Sequence, residues 1–288
     1  MEFEEKYYTS QDGLTLYYRD YASGENTTRP PLLCLHGLTR NSKDFHQFAL
    51  KMRPSYRVIS LDMRGRGRSD YDPVYMNYQI PTYVQDVQTL LKEEGLSEVV
   101  AVGTSMGGLI SMTLGVLNPS VLKGIILNDI GPEIDPKGIA RISQYLGKSV
   151  PLKNWSHAVM GVKTISGPLF PDYSADEWEE FTRNSFRQRD DGQIVADYDP
   201  HIGTAIAESA ENAVPPDLWP LFGALAPIPI MTLRGEASDI LSADTLNKMA
   251  ERHPEFTKVT IANRAHTPDL RESRSQEVIS CFLNKLNG

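Results

Sequence analysis

The sequence predicts an α/β fold in which a mostly parallel sheet is flanked by helices and interrupted by one helical insertion. Short apolar runs alternate with helical stretches over most of the chain, which is the pattern of consecutive βαβ units. Several runs are unbroken and end at glycine, as expected of strands buried on both faces of a parallel sheet. The alternation stops between about residues 133 and 220 and then resumes.

The first half of the chain carries most of the predicted sheet. An Asp-Gly turn at residues 12 and 13 precedes the first strong strand candidate. Strands are predicted at residues 14–21, 32–35, 56–61, 98–102 and 122–127. Helices are predicted to begin near residue 42 and to cover residues 80–94 and 106–117.

The insertion contains helical patterns and no strong strand candidate. One helix should start at Ser174, because Ser174 and Glu177 have the spacing of a capping box. After the insertion, strands at 228–233 and 257–261 and helices at 243–251 and 273–286 restore the alternation. We therefore expect a core of residues 1–132 and 221–288, with residues 133–220 forming a helical cap that carries a concentration of aromatic side chains.

Charge and hydropathy limit the classes of partner. The formal net charge is −8, which argues against nucleic acid or an anionic membrane surface. The first ten residues lack the basic and apolar regions of a secretory signal, and no apolar run approaches the roughly 18 residues of a membrane span. The expected protein is cytoplasmic and acts on a small molecule.

The strongest chemical motif is Gly103-x-Ser105-x-Gly107. A predicted strand precedes it and a predicted helix follows it, which is the context of a nucleophile elbow. In that turn a strained serine presents its hydroxyl at the sheet edge, and the neighbouring glycines make room for it. Ser105 is the predicted nucleophile.

A serine hydroxyl needs a general base, and His266 is the predicted base. The chain has six histidines, and His266 is the one in the loop after the last predicted strand. Four others lie in the insertion or in or beside helices. The remaining one, His36, is expected to brace a backbone turn.

The base in turn needs a carboxylate to fix its tautomer, and Asp239 is the predicted one. It lies in a loop after the strand at 228–233 that is long enough to reach the His266 loop. Asp129 is the alternative, but it directly precedes the insertion and is expected to shape the insertion's entry. Glu236 is a weaker third candidate in the same loop as Asp239.

Two backbone N–H groups should form an oxyanion hole. Met106 follows the nucleophile and supplies the first. Leu38, in the turn His36-Gly37-Leu38 after the strand at 32–35, supplies the second.

These residues together resemble the α/β-hydrolase superfamily. The matching segments are His36-Gly37, Asp62-x-Arg64-Gly65-x-Gly67-x-Ser69, Gly103-x-Ser105-x-Gly107, Arg234-Gly235 with Asp239, and His266. The resemblance covers the core on both sides of the insertion and implies that the insertion is the superfamily's cap. It also implies that the Gly- and Arg-rich segment 62–69 is a structural turn beside the active site. That segment lacks the Lys-Ser/Thr of a phosphate-binding loop.

The resemblance narrows the chemistry. Haloalkane dehalogenases and epoxide hydrolases use Asp as nucleophile, whereas position 105 is Ser. Carbon–carbon hydrolases of ring-fission products share Gly-x-Ser-Met-Gly-Gly but usually carry a Gly-Pro-Gly-rich oxyanion loop and a Trp after the catalytic His. This chain has Gly37-Leu38-Thr39-Arg40 and Thr267 instead. We expect hydrolysis of an ester or lactone of a small, largely hydrophobic molecule. Carbon–carbon hydrolysis and a slow or non-catalytic small-molecule receptor are the alternatives.

Neither a metal nor an organic cofactor is expected. The predicted triad has no cluster with zinc-ligand spacing near it, and no glycine-rich dinucleotide fingerprint opens a helix after the first strand.

Overall fold

An eight-stranded sheet forms the centre of the protein, for which a computed structural model describes residues 2–24, 27–211 and 216–287. The order across the sheet is β1-β2-β4-β3-β5-β6-β9-β10, and a separate hairpin joins β7 to β8. The two pairings that involve β2 are antiparallel, and all others in the large sheet are parallel. The mostly parallel α/β fold predicted from the sequence is therefore confirmed. The strands are β1 (Glu4–Thr9), β2 (Thr15–Tyr21), β3 (Leu32–Leu35), β4 (Val58–Leu61), β5 (Val99–Thr104), β6 (Leu122–Asn128), β7 (Phe186–Gln188), β8 (Ile194–Ala196), β9 (Ile230–Gly235) and β10 (Phe256–Ile261).

Helices cover both faces of this sheet. Leu33 of β3 points into the cluster that includes side chains of α2 and α3, whereas Leu32 points into the cluster formed with α1 and α10. Successive strand residues alternate between faces, so two apolar layers require the unbroken apolar runs seen in the sequence. The helices are α1 (His46–Met52), α2 (Ile80–Glu93), α3 (Met106–Leu117), α4 (Pro136–Tyr145), α5 (Trp155–Ser166), α6 (Ala175–Ser185), α7 (His201–Glu211), α8 (Trp219–Gly223), α9 (Ala243–Arg252) and α10 (Ser273–Leu286).

The segment between β6 and β9 interrupts the strand–helix alternation, as the sequence indicated. It contains α4 to α8 and the β7–β8 hairpin, whose three-residue strands the sequence pattern missed. The capping box at the start of α6 is present: the Glu177 N–H donates to Ser174 Oγ at 3.3 Å, and the Ser174 N–H donates to Glu177 Oε2 at 2.7 Å. Residues 212–215 of the predicted cap lie outside the described residues.

The C-terminal limit predicted for the cap falls inside a helix. Residues 220 and 221 both belong to α8, and Phe222 of that helix is buried in the core cluster with α3 residues. The helix thus packs on the core although the predicted boundary divides it. The limits 133 and 220 remain a prediction.

Within the ranges given above, no helix combines the length and the apolar character that crossing a bilayer requires.

Candidate active site

Ser105 occupies a sharp turn between a strand and a helix. β5 ends at Thr104, Ser105 has φ 51° and ψ −113°, and α3 begins at Met106. This backbone conformation is strained for a residue with a side chain. The turn also requires glycine beside it, because a Cβ on Gly107 would lie 2.0 Å from the Leu35 carbonyl oxygen. The turn thus has the geometry expected of a nucleophile elbow.

A chain of hydrogen bonds joins Ser105, His266 and Asp129. His266 Nε2 lies 2.9 Å from Ser105 Oγ, and His266 Nδ1 lies 2.7 Å from Asp129 Oδ2. The Asp129 side chain is fully buried and that of His266 is 9% exposed. The Asp129 carboxylate accepts a hydrogen bond from the Nδ1–H of His266, which leaves Nε2 unprotonated and able to take the proton of the serine hydroxyl. The three side chains therefore have the order and the distances of a catalytic triad.

The prediction that Asp239 is the partner of His266 is wrong. The Asp239 carboxylate instead pairs with Arg141 of α4, with Arg141 Nε 2.6 Å from Oδ2 and Nη2 2.9 Å from Oδ1. The hydrogen bond from Arg141 holds the pKa of the Asp239 carboxyl below its usual value. The carboxylate of Asp239 is thus used at the junction of the core with the insertion, and not in the triad.

The sheet order explains why Asp129 takes this position. It directly follows β6, which lies between β5, the strand before Ser105, and β9. Its backbone N–H donates to the Leu233 carbonyl at 2.8 Å, and its φ of 59° is left-handed. This conformation accompanies a side chain that reaches His266 across the carboxyl edge of the sheet.

The last residue of β9 and the loop after it supply hydrogen-bond donors to Asp129. The Gly235 N–H donates to Asp129 Oδ1 at 2.8 Å, and Ser238 Oγ donates to Asp129 Oδ2 at 2.6 Å. These two hydrogen bonds hold the Asp129 carboxylate in place beside His266. Sequence analysis missed Ser238, whose only sequence signal is its place in the same loop as the favoured Asp239.

The predicted oxyanion residues flank the serine. Leu38 lies in a turn closed by the Arg40 N–H donating to the Gly37 carbonyl at 3.1 Å, and Met106 is the first residue of α3. Neither the Leu38 nor the Met106 N–H has a hydrogen-bond acceptor in the described part of the chain. A Cβ on Gly37 would lie 3.8 Å from Ser105 Cβ, so this turn packs directly beside the nucleophile. Both N–H groups are available to a ligand.

His36 holds that turn in place without acid–base work. The Met63 N–H donates to His36 Nε2 at 3.0 Å, so the proton sits on Nδ1, which donates to the Gly37 carbonyl at 2.7 Å. Burial lowers the pKa of His36 to about 3, and the ring is neutral at physiological pH.

The Gly- and Arg-rich segment 62–69 packs against the same turn. Arg66 is fully buried, and its Nε donates to the Leu38 carbonyl at 3.0 Å. Asp62 accepts the Ser42 N–H at 2.6 Å and the Arg68 N–H at 2.9 Å. The cations and carboxylates of the segment are thus used in protein contacts, which supports its interpretation as a structural turn.

Ser105 and His266 line a cavity of about 570 Å³. The insertion contributes much of its apolar wall, and the cavity is of a size that holds a small organic molecule. Among the apolar lining side chains from the insertion are Ile142, Val150, Leu152, Val162, Ile165, Leu169, Phe170 and Phe181. No group of three or more metal-ligating side chains occurs among the described residues.

The chain is similar to known hydrolases over most of its length. The family described as alpha/beta hydrolase fold matches residues 30–268. The chain is 34% identical over 243 residues to a 3-hydroxybutyrate-oligomer hydrolase of Cupriavidus necator. The aligned region covers 82% of each protein. It is 23% identical to a 2-(acetamidomethylene)succinate hydrolase of Mesorhizobium japonicum, over 88% of this chain and 85% of that one.

A solved structure is similar throughout. The crystal structure of an alpha/beta hydrolase from Novosphingobium aromaticivorans matches with a TM-score of 0.91 and 42% identity, over 98% of each chain.

Proposed function

The chain belongs to the α/β-hydrolase family, and we propose that it is a serine hydrolase that cleaves carboxylic esters or lactones of small, largely hydrophobic molecules. The observation that carries the proposal is the hydrogen-bonded chain from Ser105 through His266 to Asp129, which opens into an apolar cavity. In this proposal Asp129, and not the predicted Asp239, is the carboxylate that orients His266.

The first half of the reaction forms an acyl-enzyme. Ser105 Oγ attacks the carbonyl carbon while His266 Nε2 takes the hydroxyl proton. The carbonyl oxygen becomes an oxyanion, to which the Leu38 and Met106 N–H groups donate. Asp129 stabilises the imidazolium. When the tetrahedral intermediate collapses, His266 returns the proton to the leaving alcohol, and the acyl group stays on Ser105.

Water completes the cycle by the same steps. His266 Nε2 takes a proton from a water molecule, the hydroxide attacks the acyl carbon, and the second intermediate expels Ser105. The proton passes back to the serine oxygen, and the carboxylic acid leaves. In a lactone the alcohol and the acid are parts of one molecule, so the product is a hydroxy acid.

The cavity and the relatives support an ester substrate. The apolar lining of the cavity favours a hydrophobic acyl or alcohol group. The name of the Cupriavidus necator relative gives oligomers of a hydroxy acid as its substrate, and hydroxy acids join to one another through esters. We further propose that residues 133–220 act as the cap that sets substrate choice.

Active-site labelling and a substrate panel test the proposal. A fluorophosphonate should label the protein one to one, with the adduct on the peptide that contains Ser105. The panel consists of p-nitrophenyl esters of graded chain length, lactones and a ring-fission diketone. We expect multiple turnover of esters or lactones. Adducts at another residue contradict the nucleophile, turnover of the diketone alone indicates carbon–carbon hydrolysis, and ligand binding without turnover indicates a receptor.

Enlarging one cap residue should change the preference for acyl chain length. Gly161 lies within α5 and lines the cavity, and a Cβ added there meets no atom of the described residues within 4 Å. In Gly161→Leu the new side chain occupies part of the space that a long acyl chain needs. The ratio of kcat/KM for p-nitrophenyl octanoate to that for p-nitrophenyl acetate should fall roughly tenfold.

Gly161→Ala is the matched control. Both substitutions remove a glycine from the interior of a helix, which favours the helix by up to about 1 kcal/mol, but alanine adds only a methyl group. The alanine variant should keep a ratio near that of the wild type. Equal losses on both esters in Gly161→Leu would mean that the cap acts on catalysis or folding and not on the substrate's remote groups.

A further inference from the structure

Most of the Lys and Arg residues of the predicted cap lie in one segment. Residues 136–171 contain no Asp or Glu, and their cations are Lys137, Arg141, Lys148, Lys153 and Lys163. This segment contributes +5 to a chain whose formal net charge is −8. It spans α4 and α5 and forms a large part of the cavity wall. Part of the cavity wall therefore belongs to a basic segment of an otherwise acidic protein.

The same segment exposes apolar side chains. Val150 is 68% exposed and Ile165 is 64% exposed, and both line the cavity. Exposed apolar groups at the wall of a cavity are suited to contact with a ligand. A ligand that matches this surface has an apolar chain and a negative charge.

Among the residues that the structure describes, four Lys or Arg side chains line the cavity, and three of them pair with a carboxylate. Arg40 lies 2.6 Å from Asp44, and Arg141 lies 2.6 Å from Asp239. The third, Arg271, lies 2.8 Å from Glu180.

The fourth lining cation is Lys148. No carboxylate lies within 4.0 Å of its amine in residues 2–24, 27–211 and 216–287, and the Lys148 Nζ donates to the backbone carbonyl of Ser143 at 2.9 Å. Its side chain is exposed, so that one positive charge is available to a molecule in the cavity.

We propose that Lys148 binds a carboxylate at the distal end of the substrate, so that the preferred substrates are esters of acids that carry a second, free carboxylate. The inference rests on the proposed ester hydrolysis at Ser105. A lysine amine provides one charge and three donors, which match a singly charged carboxylate, whereas a phosphate monoester carries about −1.5 to −2. Lys148 is thus a specificity residue that acts on a group remote from the reacting carbonyl.

Matched substrates isolate the charge. The p-nitrophenyl monoesters of adipic, pimelic and suberic acid carry a free distal carboxylate, and the reference esters replace it with the primary amide of the same length. Release of p-nitrophenol, corrected for spontaneous hydrolysis, gives kcat/KM for each. The wild type should prefer the best carboxylate ester over its amide by about two- to fivefold, the upper part of the range for a solvent-exposed charge pair, and added salt should reduce the preference.

Three variants test the assignment to Lys148. In Lys148→Met the carboxylate-to-amide ratio should fall to near 1, and in Lys148→Glu it should fall below 1. Lys163→Met removes a cation of the same segment that does not line the cavity, and it should keep the wild-type ratio.

The outcomes separate the two proposals. Equal kcat/KM for the carboxylate and amide esters in the wild type, or a preference that survives in Lys148→Met, would overturn this inference and leave ester hydrolysis intact. A preference lost equally in Lys163→Met would also overturn it, because a diffuse field and not Lys148 would then select the substrate. Absence of Ser105-dependent turnover of every ester would overturn the proposed function, and this inference with it.

Discussion

The single variants Ser105→Ala and His266→Ala should each lower kcat on the best ester by about four to six orders of magnitude. Ser105→Ala removes the oxygen that forms the acyl-enzyme. His266→Ala leaves the serine hydroxyl without a base, because His266 Nε2 is 2.9 Å from Ser105 Oγ and accepts its proton. Steady-state rates measured with enzyme free of wild-type contamination give the two values.

The double variant is the decisive comparison. Two residues that act in one proton transfer lose their joint contribution when either is removed, so Ser105→Ala/His266→Ala should be scarcely slower than the worse single variant. The remaining rate then reflects substrate binding and the oxyanion donors. If the losses multiply in the double variant, the two residues act independently and the proposed mechanism is wrong.

Periodicity is sufficient to predict the core of this fold. A strand between two helical layers must be apolar on both faces, and so β3 (LLCL) and the first four residues of β5 (VVAV) are visible in the sequence as unbroken apolar runs. The nucleophile elbow is equally local. Gly103, Ser105 and Gly107 lie within one turn, and their sequence spacing carries the steric requirement itself.

Short-range patterns fail for the hairpin in the insertion. β7 and β8 have three residues each, too few for an alternation to be recognised. One signal was present, since Asp191-Gly192 lies between them and Gly192 has a φ of 83°, as hairpin turns of the Asp-Gly type require.

The prediction that Asp239 is the carboxylate partner of His266 is wrong for a different reason. Loop length shows that Asp239 is able to approach His266, but it does not show which other groups compete for it. Arg141 is 98 residues away in sequence and takes both oxygens of Asp239. Strand order, which places β6 between β5 and β9, is a long-range property that no local pattern contains.

Asp129→Asn should lower kcat by about 10⁴-fold while leaving the fold intact. In the native site the carboxylate accepts three hydrogen bonds. The donors are His266 Nδ1 at 2.7 Å, the Gly235 N–H at 2.8 Å and the Ser238 hydroxyl at 2.6 Å. An asparagine has one acceptor oxygen for these donors. If the asparagine NH₂ faces His266, it donates a hydrogen bond to Nδ1, and the neutral ring then carries its proton on Nε2. A protonated Nε2 cannot take the proton of Ser105.

Asp239→Asn is the matched control, because it makes the same change in charge and volume at the carboxylate that His266 does not contact. It should weaken the partly exposed pair with Arg141 and change kcat by less than about tenfold, since such pairs contribute little. Steady-state kinetics of both variants, with thermal unfolding to confirm that each is folded, give the comparison. A large loss in Asp239→Asn with a small one in Asp129→Asn would show that the loop after β9 supplies the working carboxylate. The hydrogen bond between Asp129 and His266 would then not be the one that catalysis uses.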